Sequence, residues 1–433
     1  MAEFSFIEQQ TIFKRNEDGS FVCSENGKLV KDDEKIKELK GLNLCFEAKE
    51  KEVKYLGLNP YDFSASYYIG IDWLKEKEYY IAVNPKIENL DYVKMFVHCL
   101  EHREISEFVS EIYNVDLKRE RIEVKSANFN LTPFMIAHFL FLVENIVKKG
   151  LKSNYIIQEE NLSSKIKGKI IFSQQIKKNI VAKRDDRIFC RYQEYNKNCL
   201  ENRLLKKALL FIKQYSKYFK EKYPKLNKQL NSVLSAFEMV SDDISYSEIK
   251  RIKVSALYKE YNEAIELAKN ILKYFGYSFT NAGKKEKSFP PFWIDMSKLF
   301  ELYVYSLLKD QYRKEISYQS NGNYGNVDFL KIDDKLIIDT KYKLVYKANE
   351  EKGKYNIDDI RQLSGYARDK SVLRKLNIVD DNIVVDCVII YPDENKSADF
   401  QERKLNEDKE ENKISQFTKF YKCGIKLPIF NQN

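Results

Sequence analysis

The sequence predicts an α+β multidomain chain, with a β-rich N-terminal domain, a helical middle region and a C-terminal α/β domain. Three observations predict it. Aromatic and β-branched runs flank a charged turn near residue 75, helical periodicity dominates residues 126–280, and the elements after Met296 read helix, strand, strand, helix, strand. A length of 433 residues exceeds one ordinary domain, and the boundaries are placed at 1–125, 126–284 and 285–433.

In the first region, Tyr67–Trp73 and Tyr79–Val83 alternate as strands around Lys75–Glu78, which is a hairpin pattern. Asn84-Pro85-Lys86-Ile87 ends the second strand, and Val93–Ile105 has helical spacing. In the middle region, helices are expected at Pro133–Lys149, Leu200–Phe219, Lys225–Met239 and Leu257–Phe275. Thr132 before Pro133 fits a cap followed by proline at the first helical position. Between the first two of these helices, Lys165 to Tyr192 is extended and basic. Asn281–Lys287 is polar and reads as a linker. A helix then covers Met296–Tyr312, hairpin strands follow, a helix lies around Asp358–Arg368, and Ile383–Tyr391 is an apolar strand. Residues 393–414 are charged and weakly periodic, and a mobile insertion is expected there.

Composition narrows the class. Hydrophobic residues make up 43% and charged residues 32%, with only 14 Gly and 8 Pro, which favours packed domains over disorder. A net charge of +9 suits a polyanionic partner, although lysine and glutamate are abundant together and a solvated surface explains most of it. The seven cysteines are scattered and form no Cys-x-x-Cys pair, so a reducing cytoplasm is expected, without a disulfide framework or thiolate zinc site. The start shows no signal-peptide pattern. Phe134–Val147, the most apolar run, contains His138, Glu144 and Asn145 and reads as a buried core helix. No membrane association is expected.

The chemistry concentrates in Val327-Asp328-Phe329-Leu330 and Leu336-Ile337-Ile338-Asp339-Thr340-Lys341-Tyr342. Strand alternation puts Asp339 and Lys341 on one side and Thr340 on the other. A turn through Asp333-Asp334 brings Asp328 within reach of Asp339. Asp-x-Lys is a cheap pattern in so charged a chain, and Asp333-Asp334-Lys335 matches it too. Placement separates them, because Asp339 follows an apolar run where an unpaired carboxylate is costly. Two carboxylates with carbonyl and water oxygens suit Mg²⁺, which lowers the pKa of a bound water and offsets phosphate charge. Lys341 can orient that water or stabilise charge; action as a base would require a lowered pKa. Upstream, Glu301 sits on an amphipathic helix, and downstream Gln362 and Tyr366 share a helix face.

Taken in order, Glu301, Asp328, Asp339-Thr340-Lys341 and Gln362-x-x-x-Tyr366 resemble the PD-(D/E)xK nuclease superfamily, and thus a restriction-endonuclease-like C-terminal domain. Asp295-Met296-Ser297-Lys298-Leu299-Phe300-Glu301, Asp339-Thr340-Lys341-Tyr342-Lys343 and Asp359-Ile360-Arg361-Gln362-Leu363 more closely resemble the McrC family, the nuclease subunit of McrBC-type, modification-dependent restriction systems. Ile81–Ile87, Asn161–Ile170 and Asn202–Lys206 extend the resemblance upstream. Val327 stands where that family usually has proline, and residues 1–60 and 393–414 carry no part of it.

The resemblance implies a Mg²⁺-dependent DNA endonuclease subunit in anti-phage defence. It assigns Asp328, Asp339 and Thr340 to the metal, and Asp328, Asp339, Lys341, Glu301 and Gln362 to catalysis. It also implies a separate McrB-like AAA+ GTPase hexamer, engaged and stimulated by the N-terminal domain. No Gly-x-x-x-x-Gly-Lys-Ser/Thr loop occurs, so GTP is expected on the partner. Two rival readings stand beside it: a non-catalytic adaptor on a nuclease-like fold, and a stand-alone nuclease.

Two further motifs are weighed. His98 and His102 stand four apart, as a zinc pair would, but without the His-Glu-x-x-His pattern, and the third histidine, His138, lies in an apolar helix. A core or surface helix is the expected role. The bases and aromatics from Lys177 to Tyr192 can track a DNA backbone, contact a protein or form a solvated face.

Overall fold

The hairpin forms as its pattern requires. In the computed structural model, β2 (Tyr68–Lys75) and β3 (Tyr79–Asn84) pair antiparallel, and β1 (Ala2–Ile7) runs parallel to β3. The structure describes residues 2–9, 13–15, 21–25, 28–30 and 66–430, apart from 103, 117–118, 125–130, 253–258, 281–286, 324, 348–354, 381, 402–403 and 408. The expected linker therefore falls almost wholly outside the described residues. Helix α1 (Tyr92–Cys99) follows, capped by the Asp91 side chain, and β4 (Tyr113–Val115) ends this part.

Residues Asn130–Lys284 form one compact unit. Its core is α2 (Leu131–Lys149) with α3 (Leu200–Tyr215), α4 (Pro224–Ala236) and α5 (Lys259–Thr280). Thr132 lies inside the first turn of α2 and does not cap it. By length and composition α2 could cross a membrane, yet Phe134, Phe139, Leu140 and Val143 are fully buried in the unit, as expected of a core helix. Between α2 and α3, β5 (Asn154–Ser163), β6 (Lys169–Ile170) and β7 (Arg187–Asn196) form an antiparallel sheet. The basic stretch crosses this sheet. Lys177, Lys178, Lys183, Arg184 and Arg187 are exposed, and buried Asn179 ties the turn together through Asn161, Gln175 and the Arg187 carbonyl.

The other unit joins Met1–Phe129 to Lys285–Asn433. One link is β8 (Phe292–Asp295), which sequence grouping assigns to the C-terminal domain but which inserts between β2 and β4 of the first sheet; the antiparallel pairing of Ile122–Val124 with Lys287–Phe289 is another. Gly70 permits that insertion: its φ is +149°, and a Cβ there would stand 2.0 Å from the Phe292 carbonyl oxygen.

Asp295 then caps α6 (Met296–Tyr312) by accepting from the Lys298 N–H. A five-stranded sheet follows, in the order β9 (Ile316–Asn321), β10 (Asn326–Lys331), β11 (Leu336–Thr340), β12 (Asp386–Pro392), β13 (Phe420–Ile425). The first three strands are antiparallel and the last two add in parallel. Central β11 is buried along Leu336–Asp339. Ile360, Leu363 and Tyr366 of α7 (Ile357–Tyr366) pack on Val327, Leu330 and Ile337, while α6 lies against β9 and β11. The segment 393–414 differs from the expected mobile insertion. Phe400, Leu405 and Ile414 are buried, and these apolar residues anchor a charged stretch whose lack of periodicity hid them.

Candidate active site

The β10–β11 hairpin builds the centre. Its ladder pairs Phe329 with Ile338 and Leu330 with Ile337, so the next positions outward are Asp328 and Asp339. Lys335, with a φ of +54°, closes the turn. Asp339 is buried and Asp328 half-buried. Burial first, and then the neighbouring Asp339 charge, raise Asp328 to about 7. Burial likewise raises Asp339 against the opposing pull of Lys341.

Thr340 supports the neighbouring aspartate. Its backbone N–H and its hydroxyl both donate to Asp328 Oδ2, at 2.8 and 2.6 Å. The ladder between β10 and β11 stops at Phe329–Ile338, while β11 stays paired with β12 through Thr340–Ile390. The Thr340 hydroxyl therefore holds a carboxylate in place.

Glu301 reaches the same centre from α6. Tyr318 donates to Glu301 Oε1 at 2.7 Å and Gln319 at 3.3 Å, and Lys298 Nζ lies 3.6 Å away. Burial and then the Asp328 charge raise the Glu301 carboxyl. Lys341 Nζ sits 2.6 Å from Asp339 Oδ2 and donates to Gln362 Oε1 at 3.0 Å. Gln362 in turn donates to the Tyr366 hydroxyl, and Tyr366 to the Asn326 carbonyl, each at 3.0 Å. Burial lowers the Lys341 pKa, but Asp339, with Asp328 and Asp359 beyond it, outweighs burial and raises it above the usual lysine value. Lys341 is thus a held cation, suited to offsetting charge or orienting a water, and poorly suited to accepting a proton.

Sequence reasoning missed Asp359, which is buried beside this lysine. It pairs with Lys343 at 2.8 Å, accepts from the Tyr346 hydroxyl at 2.6 Å and lies 4.0 Å from Lys341 Nζ. The available signal was its place in the first turn of α7, three residues before Gln362. Tyr318, which orients Glu301, carried none. A second buried group flanks the centre. The Tyr342 hydroxyl donates to Glu8 Oε1 at 2.9 Å, and Lys86 Nζ stands 3.6 Å from the Tyr342 ring centroid. Burial raises Glu8 to about 7 and lowers Lys86 to about 8.

Asp328, Asp339 and Glu301, with Lys341 and Lys298 beside them, carry more negative charge than the two lysines offset. An all-oxygen donor set of this kind fits a hard divalent cation, Mg²⁺ before zinc.

A family model described as McrBC 5-methylcytosine restriction system component matches residues 64–376, which include every site residue from Glu301 to Tyr366. A search of curated proteins finds no match. Among solved structures, the chain is similar to McrC in the refined half-complex from the tetradecameric assembly of Thermococcus gammatolerans McrB AAA+ hexamers with bound McrC. That match has 16% identity and a TM-score of 0.36, covering 98% of this chain and 94% of that one. It is also similar to a chain of the cryo-EM structure of the Thermococcus gammatolerans McrBC complex, at 16% identity and a TM-score of 0.31, covering 71% and 87%. With the family model matching well over half of its length, this chain belongs to the McrBC 5-methylcytosine restriction system component family.

Proposed function

We propose that this chain is the Mg²⁺-dependent, PD-(D/E)xK-type DNA-cleaving subunit of an McrBC-like restriction complex, working in the cytoplasm with an McrB-like AAA+ GTPase hexamer. The observation that carries the reading is the convergence of Asp328, Asp339 and Glu301 in one buried corner, with Lys341 bound to Asp339. Asp328 and Asp339 would hold the metal. Thr340 serves through the two hydrogen bonds that fix Asp328, and Glu301 contributes negative charge from the α6 side. When bound, Mg²⁺ supplies a water of lowered pKa and offsets charge on the phosphate.

The chain's own residues do the rest. Asp339 and Gln362 hold the Lys341 ammonium from two sides, so it meets the phosphate or the attacking water in a fixed position. Tyr366 locks Gln362, and Tyr318 with Gln319 aims one oxygen of Glu301. A raised pKa keeps Lys341 cationic through neutral pH, which suits charge stabilisation and argues against its acting as a base. The N-terminal region would engage the motor and stimulate its GTP hydrolysis.

The test is DNA cleavage with the partner GTPase, Mg²⁺ and GTP, comparing wild type with Lys341→Ala. The expected result is loss of cutting by the variant with stimulation of GTP hydrolysis intact. Equal cutting by both would sink the catalytic assignment and favour the adaptor reading. Equal cutting with and without the motor would favour a stand-alone nuclease.

A further inference from the structure

Away from the nuclease centre, α1 and α6 cross with three metal-competent side chains turned toward one another. His98 lies on α1, His102 three residues beyond its end, and Asp310 near the end of α6. His98 Nε2 is 3.4 Å from Asp310 Oδ2, and His102 Nε2 is 3.1 Å from Asp310 Oδ1. Their ligand atoms all lie within 4.8 Å of one another. The two imidazoles stand 6.3 Å apart with their planes only 24° from parallel, so both present the same nitrogen to the same place.

A second observation concerns the far side of His98. Its Nδ1 is 2.9 Å from the hydroxyl of Ser306, which is fully buried on α6. That hydroxyl spends its one proton on the Tyr303 carbonyl, at 2.6 Å. The Ser306 oxygen must therefore accept from Nδ1–H, which leaves Nε2 as the nitrogen facing the carboxylate. A lone pair aimed at a carboxylate is repulsive. Either the ring takes a second proton and forms an ion pair, or a cation stands between the two.

Three features favour the cation. The two nitrogen–oxygen separations, 3.4 and 3.1 Å to the two oxygens of one carboxylate, lie near the edge of a tetrahedron with metal–ligand bonds near 2.0 Å, which is about 3.3 Å. Orientation of a ligating histidine by a hydrogen bond from its other ring nitrogen is the usual support of a metal-bound imidazole. Asp310 is half exposed, which leaves room for a water in the fourth position.

We propose that His98, His102 and Asp310 form a site for a borderline transition-metal ion, Zn²⁺ by donor type, separate from the Mg²⁺ centre. Two imidazoles and a carboxylate select zinc over magnesium. The ion would tie α1, which follows β3 and the Pro85-Lys86 turn, to α6, which carries Glu301 nine residues before Asp310. It would act as a structural clamp between the N-terminal sheet and the helix that supplies a nuclease carboxylate. Ser306 is a positioning residue for it.

The test is calorimetric titration of the full chain with Zn²⁺, with millimolar Mg²⁺ present to occupy hard oxygen sites, and with Co²⁺ as a spectroscopic probe. One equivalent should bind, giving the visible bands of tetrahedral Co²⁺ without thiolate charge transfer, which would report cysteine. His102→Ala and the nearly isosteric Asp310→Asn should each weaken binding on the order of 100-fold, and Ser306→Ala by about 10-fold. No uptake by wild type, or equal affinity in wild type and both ligand variants, would overturn the site and leave an imidazolium–carboxylate pair. The Mg²⁺-dependent chemistry is untouched by either result, so this inference and the proposed nuclease function stand or fall separately.

Discussion

Thr340 gives both its backbone N–H and its hydroxyl to a single oxygen of Asp328, at 2.8 and 2.6 Å. Both bonds favour the ionised carboxylate, against burial and the Asp339 charge, which push it the other way. Thr340→Val keeps the shape and the backbone bond and removes only the hydroxyl. It should cost about 1 kcal/mol in denaturant unfolding and weaken Mg²⁺-dependent cleavage about 10-fold, without loss of fold. Unchanged cleavage would mean that the hydroxyl does not support the site.

Gln362 bridges Lys341 and Tyr366, so it acts on cleavage only through the lysine's position. Gln362→Ala should lower kcat on the order of 100-fold and leave DNA affinity nearly unchanged. A fall in affinity with normal kcat, measured by single-turnover kinetics, would make it a DNA-binding residue.

The carboxylates give the metal-free protein a pH signature. Asp328 sits at about 7 in the fold, Asp339 and Glu301 are also raised, and an unfolded aspartate titrates near ~4. Between those values the folded chain holds more protons than the unfolded one, so stability falls as pH rises from about 4 to about 7. Asp328→Asn removes one of these contributors. In EDTA the variant should therefore gain stability over wild type as pH goes from about 5 to about 8, and Mg²⁺ should close that gap for wild type alone. Thermal unfolding at both pH values checks this; parallel pH profiles would contradict it.

Tyr342 follows Lys341 and reaches Glu8, 334 positions away in sequence. Tyr342→Phe leaves Glu8 buried without that donor, and unfolding measurements should record a loss of about 1–3 kcal/mol. A neutral result would mean that Glu8 finds a replacement partner among its neighbours.

The sequence disclosed what local periodicity encodes. The Tyr68–Asn84 hairpin, the helix at Met296–Tyr312 and the strands carrying Asp328 and Asp339 all follow from spacing. What stayed hidden depends on distant pairing. Nothing local to Phe292–Asp295 says that it will enter a sheet begun before residue 80, and only Gly70, across the ladder, marks the place. Asp359 looked like one more acid in a helical first turn until the fold set it beside Lys341 and Lys343. The Thr340 hydroxyl gave no local sign of its bond to Asp328, twelve residues earlier on the neighbouring strand. His98 and His102 were visible as a pair, while Asp310, more than two hundred residues later, became their third member only through helix packing.

The central claim is that Asp328 and Asp339 form a working metal centre, not the remnant of one. Calorimetric titration with Mg²⁺, comparing wild type with Asp328→Ala, tests it most directly. The account predicts saturable binding by wild type, proton release that grows as pH falls toward about 7, and no measurable binding by the variant. Identical heats from the two proteins would contradict it.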